Sequence, residues 1–237
     1  MESSTMQDFV EEEILTQGMQ VQLDKWERIL ESGHKRVGWK IGFNVAADQQ
    51  RLRLPSPIVG FLTSESVLDS ESTYKGKEDA KLMVEAEVAI LIGKNVTAVD
   101  DKKHLKDVIE GYAPAIEIVD VARTSHDVTS ILEDNIFHET VIFGDMSKST
   151  QLLNAGDISA TVSVNNEVVQ TGDPSRYPED MTEIVSVVAD TLAKQGLQLQ
   201  AGDWIIAGSI TKPFEIHAGE HVEVNLAPLG TLSVHIA

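Results

Sequence analysis

Residues 83–92 read MVEAEVAILI, an apolar run that two glutamates interrupt. The run is typical of a β-strand. Because side chains alternate along a strand, we expect Glu85 and Glu87 on one face and Val84 and Ala86 on the other. Two carboxylates on one face repel each other, and a hard divalent cation such as Mg²⁺ or Mn²⁺ would remove that repulsion. The pattern therefore predicts a metal site or, alternatively, a half-exposed strand with a polar face.

A third acid strengthens the metal interpretation. Residues 112–120 read YAPAIEIVD, in which Glu117 interrupts a second strand-like run. A carboxylate in a protein core is costly unless it is protonated, paired or metal-bound. Three carboxylates around one divalent ion would leave about three octahedral positions open for a chelating substrate and a water. We therefore predict a catalytic metal site at Glu85, Glu87 and Glu117, with Asp120 as a partner that supports the ligands.

Lys40 lies in a third short run, VGWKIGF, at residues 37–43. On a strand, Gly38, Lys40 and Gly42 share one face, so the lysine has a position without a side chain on either side. The functional interpretation is that the glycines admit a ligand whose negative charge meets the ammonium group. The alternative is an edge strand with a solvated lysine.

Composition bounds the remaining possibilities. The chain has 237 residues, long enough for one domain with a substantial core. A formal net charge of −19 disfavours nucleic acids and anionic membranes as partners. The absence of cysteine excludes disulfides, thiolate zinc sites and a cysteine nucleophile. The apolar runs are shorter than a membrane span and the N-terminus lacks a signal pattern, so we expect a cytoplasmic protein.

The order of periodic segments predicts an α+β fold. Apolar residues at helical spacing over residues 6–32 predict one or two helices, and further helices are expected near residues 102–110, 126–134 and 179–195. The C-terminal third contains short alternating runs, which predict a largely antiparallel sheet structure. We expect these strands at residues 158–164, 167–170, 203–207, 221–226 and 231–236.

Several of these segments, taken in order, resemble a known family. They are VGWKIGF at 37–43, SPIVGFL at 56–62, EAE at 85–87, AIEIVD at 115–120, AGSIT at 207–211, AGEHVEVNL at 218–226 and LGTLSV at 229–234. Their order is similar to that of the 2-keto-4-pentenoate hydratase and 4-oxalocrotonate decarboxylase group of the fumarylacetoacetate hydrolase superfamily. The resemblance implies a mixed β-sandwich or roll that forms homo-oligomers, with an N-terminal helical segment at 1–35 and a catalytic domain at 36–237.

The resemblance also implies roles for particular residues. Lys40 would stabilise charge or transfer protons, and the predicted substrate-binding residues are Gly42, Asn135, Ser209 and Thr211. His138 stands where many relatives have small residues; we interpret it as a possible second acid or base, or as a hydrogen-bonded structural histidine. Arg123 lies one residue later than the arginine of the usual family pattern, so its contact with substrate is in doubt.

The function implied by the resemblance is that of a Mg²⁺- or Mn²⁺-dependent lyase acting on a small anionic 2-oxo or 2-hydroxydienoic acid. Hydration of a 2-hydroxypenta-2,4-dienoate-type substrate is the favoured reaction. Decarboxylation of a 4-oxalocrotonate-type acid is an alternative, because Ile58 replaces an acid found in many hydratases. Acylpyruvate hydrolysis, for which Glu31 and His34 would have to activate water, is another alternative. A catalytically lapsed binding or scaffold subunit also stays open.

Overall fold

The computed structural model describes residues 9–96, 102–122, 127–148 and 153–237. Four α-helices lie in these ranges: α1 Glu12–Glu31, α2 Ala46–Leu52, α3 Val128–Glu133 and α4 Thr182–Lys194. The same ranges contain the strands β1 Arg36–Gly42, β2 Ile58–Thr63, β3 Val67–Asp69, β4 Thr73–Tyr74, β5 Leu82–Ile92, β6 Ile109–Asp120, β7 His138–Phe143, β8 Ser147–Lys148, β9 Ser159–Val164, β10 Glu167–Thr171, β11 Trp204–Ser209, β12 Phe214–Glu215, β13 His221–Ala227 and β14 Gly230–Ile236. Short 3₁₀ turns connect them at Lys102–Val108, Asn135–Phe137, Ala155–Asp157 and Pro174–Arg176.

The larger sheet brings the predicted site residues together. Among the described residues it has nine strands, in the order β2-β1-β11-β5-β6-β7-β3, with β12 paired to β5 and β8 paired to β6. β1 pairs with β11 in parallel, and β5 pairs with β6 in antiparallel register over almost their full lengths. That register sets Glu85 directly opposite Glu117. Lys40 on β1 is separated from these strands only by β11.

The second sheet closes the other side of the core. Within the described residues it has five strands in the order β10-β9-β13-β14-β4, antiparallel except where β14 meets β4. Along β13 buried and exposed residues alternate, as expected for a sheet with one face on the core and one in water. The two sheets therefore pack with their apolar faces together.

Helix α1 packs on the same core. Its residues Met19, Leu23 and Trp26 belong to one hydrophobic cluster with Ile90 of β5 and Val224 of β13. Acidic residues in its first turn and Arg28 in its last complement the helix dipole. Within the described residues, no helix combines the length and the apolar character needed to cross a membrane. The division between residues 1–35 and 36–237 stays a prediction.

The predicted fold class, α+β with an N-terminal helix and mixed sheets, is confirmed. Residues 12–31 form one helix. The helix expected at 102–110 is a 3₁₀ turn over Lys102–Val108, after which β6 begins. The helix expected at 126–134 begins at Val128, and position 126 and residues 1–8 lie outside the described part of the chain.

Candidate metal centre and active site

Three carboxylates meet where β5 and β6 pair. Oxygen atoms of Glu85, Glu87 and Glu117 lie within 4.8 Å of one another. Strand alternation puts Glu85 and Glu87 on one face, and the register adds Glu117 from the neighbouring strand. Glu87 and Glu117 are fully buried, and Glu85 is half-buried. The predicted cluster is thus present as a geometric unit.

Burial and mutual repulsion disfavour full ionisation of this cluster. Burial, followed by the charge of Glu117, raises the pKa of Glu85 to about 7. The same two causes, together with Glu85, raise the pKa of Glu87 well above its ordinary value. A divalent cation at this position would supply the missing positive charge and would favour the ionised form of both groups.

Glu117 differs from its two neighbours because two donors hold it. Lys40 Nζ forms an ion pair with Glu117 Oε1, and His138 Nδ1 lies 2.6 Å from the same oxygen. Burial raises the pKa of Glu117, but Lys40 and His138 more than offset burial, and the net pKa lies below its ordinary value. Lys40 Nζ also donates to the carbonyl of Ile136 at 3.1 Å. Glu117 is therefore held as a carboxylate.

The hydrogen bonds of the carboxylate oxygens show whether a metal ion fits the cluster. Glu87 Oε2 accepts from the backbone N–H of Gly208 at 2.8 Å. Among the described residues, buried Glu87 Oε1 and Glu117 Oε2 have no hydrogen-bond partner. Buried carboxylate oxygens are normally satisfied, and oxygen donors are what Mg²⁺ and Mn²⁺ prefer. The residues present fit a hard divalent cation.

His138 connects Glu117 to a hydroxyl group. Its Nε2 lies 2.9 Å from Ser66 Oγ, and its side chain is buried. Burial lowers the pKa of His138, although the hydrogen bond to Glu117 opposes that effect. A neutral ring that donates from Nδ1 to the Glu117 carboxylate can accept at Nε2 from the Ser66 hydroxyl. These two hydrogen bonds are sufficient for a structural role of His138. They also place an acid-base group beside the carboxylates.

A cavity of about 310 Å³ opens beside the carboxylates. Lys40 and Glu85 line it together with apolar side chains such as Ile41 and Ile136, and Ser209 lies in its wall. This volume suits a small molecule. The cavity therefore joins the candidate metal centre to space for a ligand.

Two residues that sequence reasoning missed shape the end of β11. Tyr177 OH donates to the carbonyl of Gly208 at 2.7 Å and accepts from the N–H of Val88 at 3.0 Å. Arg176 Nε donates to the carbonyl of Ser209 at 2.8 Å, and Arg176 lines the cavity. Both lie far along the chain from the carboxylates, in a loop whose sequence carries no recognisable motif.

The other predicted site residues lie in different surroundings. Ser209 and Thr211 are buried with their hydroxyl oxygens 3.4 Å apart, and only Ser209 lines the cavity. Asn135 donates to the carbonyl of Phe61 and accepts from the N–H of the same residue, at 3.0 and 2.8 Å. Its amide therefore fixes a turn against β2, which agrees with a supporting role in the site, and a contact with substrate stays a prediction. Arg123 lies outside the described residues.

The predicted support from Asp120 is wrong. Asp120 Oδ1 accepts from the backbone N–H groups of Lys81 and Ala122 and so caps the end of β6. An offset of three residues along a strand places Asp120 and Glu117 on opposite faces. Alternation alone could have shown this.

The glycines beside Lys40 need a different explanation from the one the sequence suggested. A Cβ atom on Gly38 would lie 1.9 Å from the backbone oxygen of Trp204, so this glycine admits strand β11. A Cβ atom on Gly42 would lie 2.5 Å from the side chain of Ile136. Gly42 does line the cavity, but the space beside it belongs to Ile136 and not to a ligand.

The fold and this cluster define a two-sheet α+β protein with a buried candidate centre for a divalent metal. A family model described as the fumarylacetoacetate (FAA) hydrolase C-terminal domain matches residues 37–237. The chain therefore belongs to the fumarylacetoacetate hydrolase family, as its motifs predicted.

Curated relatives narrow the comparison within that family. The chain is 25% identical over 217 residues to a 4-oxalocrotonate decarboxylase of Pseudomonas putida, with 88% of this chain and 81% of the relative covered. It is 28% identical over 214 residues to 2-keto-4-pentenoate hydratase 2 of Dechloromonas aromatica, with 88% and 80% covered. The predicted hydratase and decarboxylase group is thus the one found.

Solved structures share the fold. The 4-oxalocrotonate decarboxylase from Pseudomonas putida G7, complexed with magnesium and adipate, superposes with a TM-score of 0.87 at 22% identity, over 94% of this chain and 86% of the other. Fumarylpyruvate hydrolase from Pseudomonas aeruginosa, in complex with Mn²⁺ and pyruvate, gives a TM-score of 0.66 at 19% identity, over 86% and 89%. At these identities the likeness concerns the fold.

Proposed function

We propose that this protein is a divalent-metal-dependent lyase acting on a small 2-oxo or 2-hydroxydienoic acid, with hydration as its favoured reaction. The observation that carries the proposal is the largely buried carboxylate cluster beside a cavity of about 310 Å³, in which two oxygens have no partner among the described residues. The names of the curated relatives, hydratases and decarboxylases of such acids, support the same class.

Glu85, Glu87 and Glu117 would hold the ion, Mg²⁺ or Mn²⁺. When bound, the ion would supply Lewis-acid stabilisation of negative charge on the carboxylate and C2 oxygen of the substrate. Gly208 positions Glu87 through its N–H, and Lys40 and His138 position Glu117. These contacts leave Oε1 of Glu87 and Oε2 of Glu117 for the ion.

Lys40 is the residue best placed to act on the substrate. It is almost fully buried, lines the cavity and carries a cation in a chain with a large negative charge. Its ammonium group would stabilise the enolate that both reactions require, or deliver a proton to it. His138, on the far side of the same carboxylate oxygen, would assist proton transfer as a neutral ring.

Decarboxylation is the second candidate because of Ile58. This residue begins β2, is 6% exposed and belongs to an apolar cluster with Ile136 and Phe137, both of which line the cavity. A position that is acidic in many similar hydratases is therefore apolar here. Loss of CO₂ and addition of water both pass through one dienol, so the same carboxylates and lysine serve either reaction.

The hydrolase alternative receives no support from the positions of Glu31 and His34. Both residues precede Arg36, the start of β1, whereas the cavity lies at Gly42, where the strand ends. At about 3.3 Å per residue, the two ends of this strand are roughly 20 Å apart. A cytoplasmic location and a homo-oligomeric state stay predictions.

Turnover assays test the proposal directly. With Mg²⁺, we expect 2-hydroxypenta-2,4-dienoate to yield 4-hydroxy-2-oxopentanoate. Release of CO₂ from 2-oxohex-3-enedioate without hydration of the dienoate would select the decarboxylase. A metal-dependent thermal shift without turnover of any oxo acid would favour the lapsed binding subunit and would contradict the proposal.

A further inference from the structure

More positively charged side chains line the cavity than are needed to bind one substrate carboxylate. Besides Lys40, two arginines line it, Arg51 and Arg176. The whole chain has 19 basic against 38 acidic residues, so three cations around one small cavity are a local exception to its composition. The acids that line the same cavity are Asp48 and Glu85, and Glu85 belongs to the candidate metal centre.

Arg176 is held in place but keeps donors available. Its Nε donates to the carbonyl of Ser209, and its own carbonyl accepts from Asn44 Nδ2 at 2.7 Å, so both ends of the residue are fixed. Within the part of the chain that the structure describes, its two terminal nitrogens have no hydrogen-bond or ion-pair partner. A fixed guanidinium with free terminal N–H groups suits a carboxylate.

Arg51 lies nearer to solvent than Arg176. It stands in the last turn of α2 and lies 3.3 Å from Asp48 Oδ1, with 51% and 42% of the two side chains exposed. Exposed pairs of this kind contribute little to stability, so a ligand carboxylate can replace Asp48 at small cost. The three positive side chains that line the cavity differ in exposure: Lys40 is buried, Arg176 is half-buried and Arg51 is exposed.

We propose that Arg176, assisted by Arg51, binds a second carboxylate of the substrate, so that the natural substrate is a dicarboxylic 2-oxo or 2-hydroxydienoic acid. This inference rests on the proposed function, because the metal centre would receive the first carboxylate and Lys40 would act on the enolate. The inference favours hydration, because in decarboxylation the second carboxylate is the group lost as CO₂ and an ion pair with an arginine would oppose that loss.

Two saturated 2-oxo acids of equal length test the proposal without turnover. In the presence of Mg²⁺, binding of 2-oxohexanedioate and 2-oxohexanoate is measured by isothermal titration calorimetry. The two ligands differ only in a terminal carboxylate against a methyl group. We expect the parent to bind the diacid about tenfold more tightly or better, as a charge-assisted contact implies.

Substitutions of the two arginines show which residue is responsible for the preference for the diacid. Arg176→Met should weaken only the diacid and remove most of the preference, and Arg51→Met should remove part of it. Arg176→Lys keeps the charge and should keep part of the preference, which separates recognition from misfolding. Arg53→Met is the matched control, because Arg53 follows α2 but does not line this cavity, and it should change neither affinity.

The outcomes separate this inference from the proposed function. Equal affinity of the parent for both acids would reject the second carboxylate site while leaving the metal-dependent lyase intact. Equal weakening of both acids by Arg176→Met would also reject it, because Arg176 would then act at the shared end. Failure of both acids to bind the parent would overturn the proposed function and, with it, this inference.

Discussion

Strands β5 and β13 carry nearly the same alternating pattern and use it differently. Residues 84–88 read VEAEV, and residues 222–226 read VEVNL. On β13 the polar side chains, Glu223 and Asn225, are exposed, whereas on β5 Glu85 is half-buried and Glu87 is fully buried. Both strands lie inside their sheets, so their position does not explain the difference. What matters is whether other groups cover the polar face, and only β5 is covered.

The largest expected effect comes from removing one buried charge of the metal centre. Glu87→Gln should weaken Mg²⁺ or Mn²⁺ binding more than about 100-fold, because it removes a direct ligand, and turnover should fall with it. Isothermal titration measures the affinity. Glu223→Gln on β13 is the matched control and should change nothing. The metal-free Glu87→Gln protein should be at least as stable as the parent, and unchanged metal affinity would reject the metal centre.

Lys40→Met sharpens the comparison between buried and exposed ion pairs. We expect kcat/KM to fall about 100-fold, because a positive group is lost where negative charge develops, while metal binding persists. Metal-free Lys40→Met should also be less stable by about 3 kcal/mol, since Glu117 loses its buried partner. Lys81→Met, whose pair with Glu215 at 3.7 Å is exposed, should have no measurable effect on either quantity. Equal kcat/KM in Lys40→Met and parent would exclude a catalytic lysine.

His138→Ala should have a smaller effect. We expect about a tenfold loss of kcat with little loss of metal affinity, because Glu117 keeps Lys40 as its partner. A solvent isotope effect on kcat that increases in the variant would locate the change in proton transfer. His217→Gln, in an exposed position before β13, is the control. If His138→Ala lowers only the unfolding temperature, the histidine is structural.

The smallest expected effect is a dependence of stability on pH. Because the pKa of Glu85 is raised from 4.5 to about 7, the folded metal-free protein holds more protons than the unfolded chain between these values. Its contribution to stability is present at low pH and is lost as pH rises through about 7. Between about pH 5 and 7, this loss should lower Tm of the metal-free protein by roughly a few degrees, and Mg²⁺ should remove the fall. Glu223→Gln should follow the parent, whereas a rise of Tm over this range would contradict the shift.

Local patterns predicted which carboxylates come together at the candidate metal centre. Strand alternation placed Glu85 and Glu87 together, and the apolar surroundings of Glu117 indicated that it needed a partner. The identity of that partner required the sheet order, because Lys40 reaches Glu117 only through the insertion of β11 between β1 and β5.

Sequence patterns did not predict contacts between residues that are distant along the chain. The glycines around Lys40 suggested room for a ligand, but Gly38 accommodates the backbone of Trp204 and Gly42 accommodates Ile136. Asn135 matched a family position, yet both ends of its amide bind the backbone of Phe61. Arg176 had no local signal at all, because its role depends on a contact with the end of β11.

The position of β11 in the larger sheet has a consequence for synthesis of the protein. A growing chain that has reached residue 200 already contains Lys40, all three glutamates and His138 in its sequence. It lacks Trp204–Ser209, the strand that joins the β1–β2 pair to β5 and β6. On the ribosome, therefore, the two halves of the site stay separate until β11 has been synthesised, and premature termination before β11 yields a polypeptide with every proposed catalytic side chain and no active site.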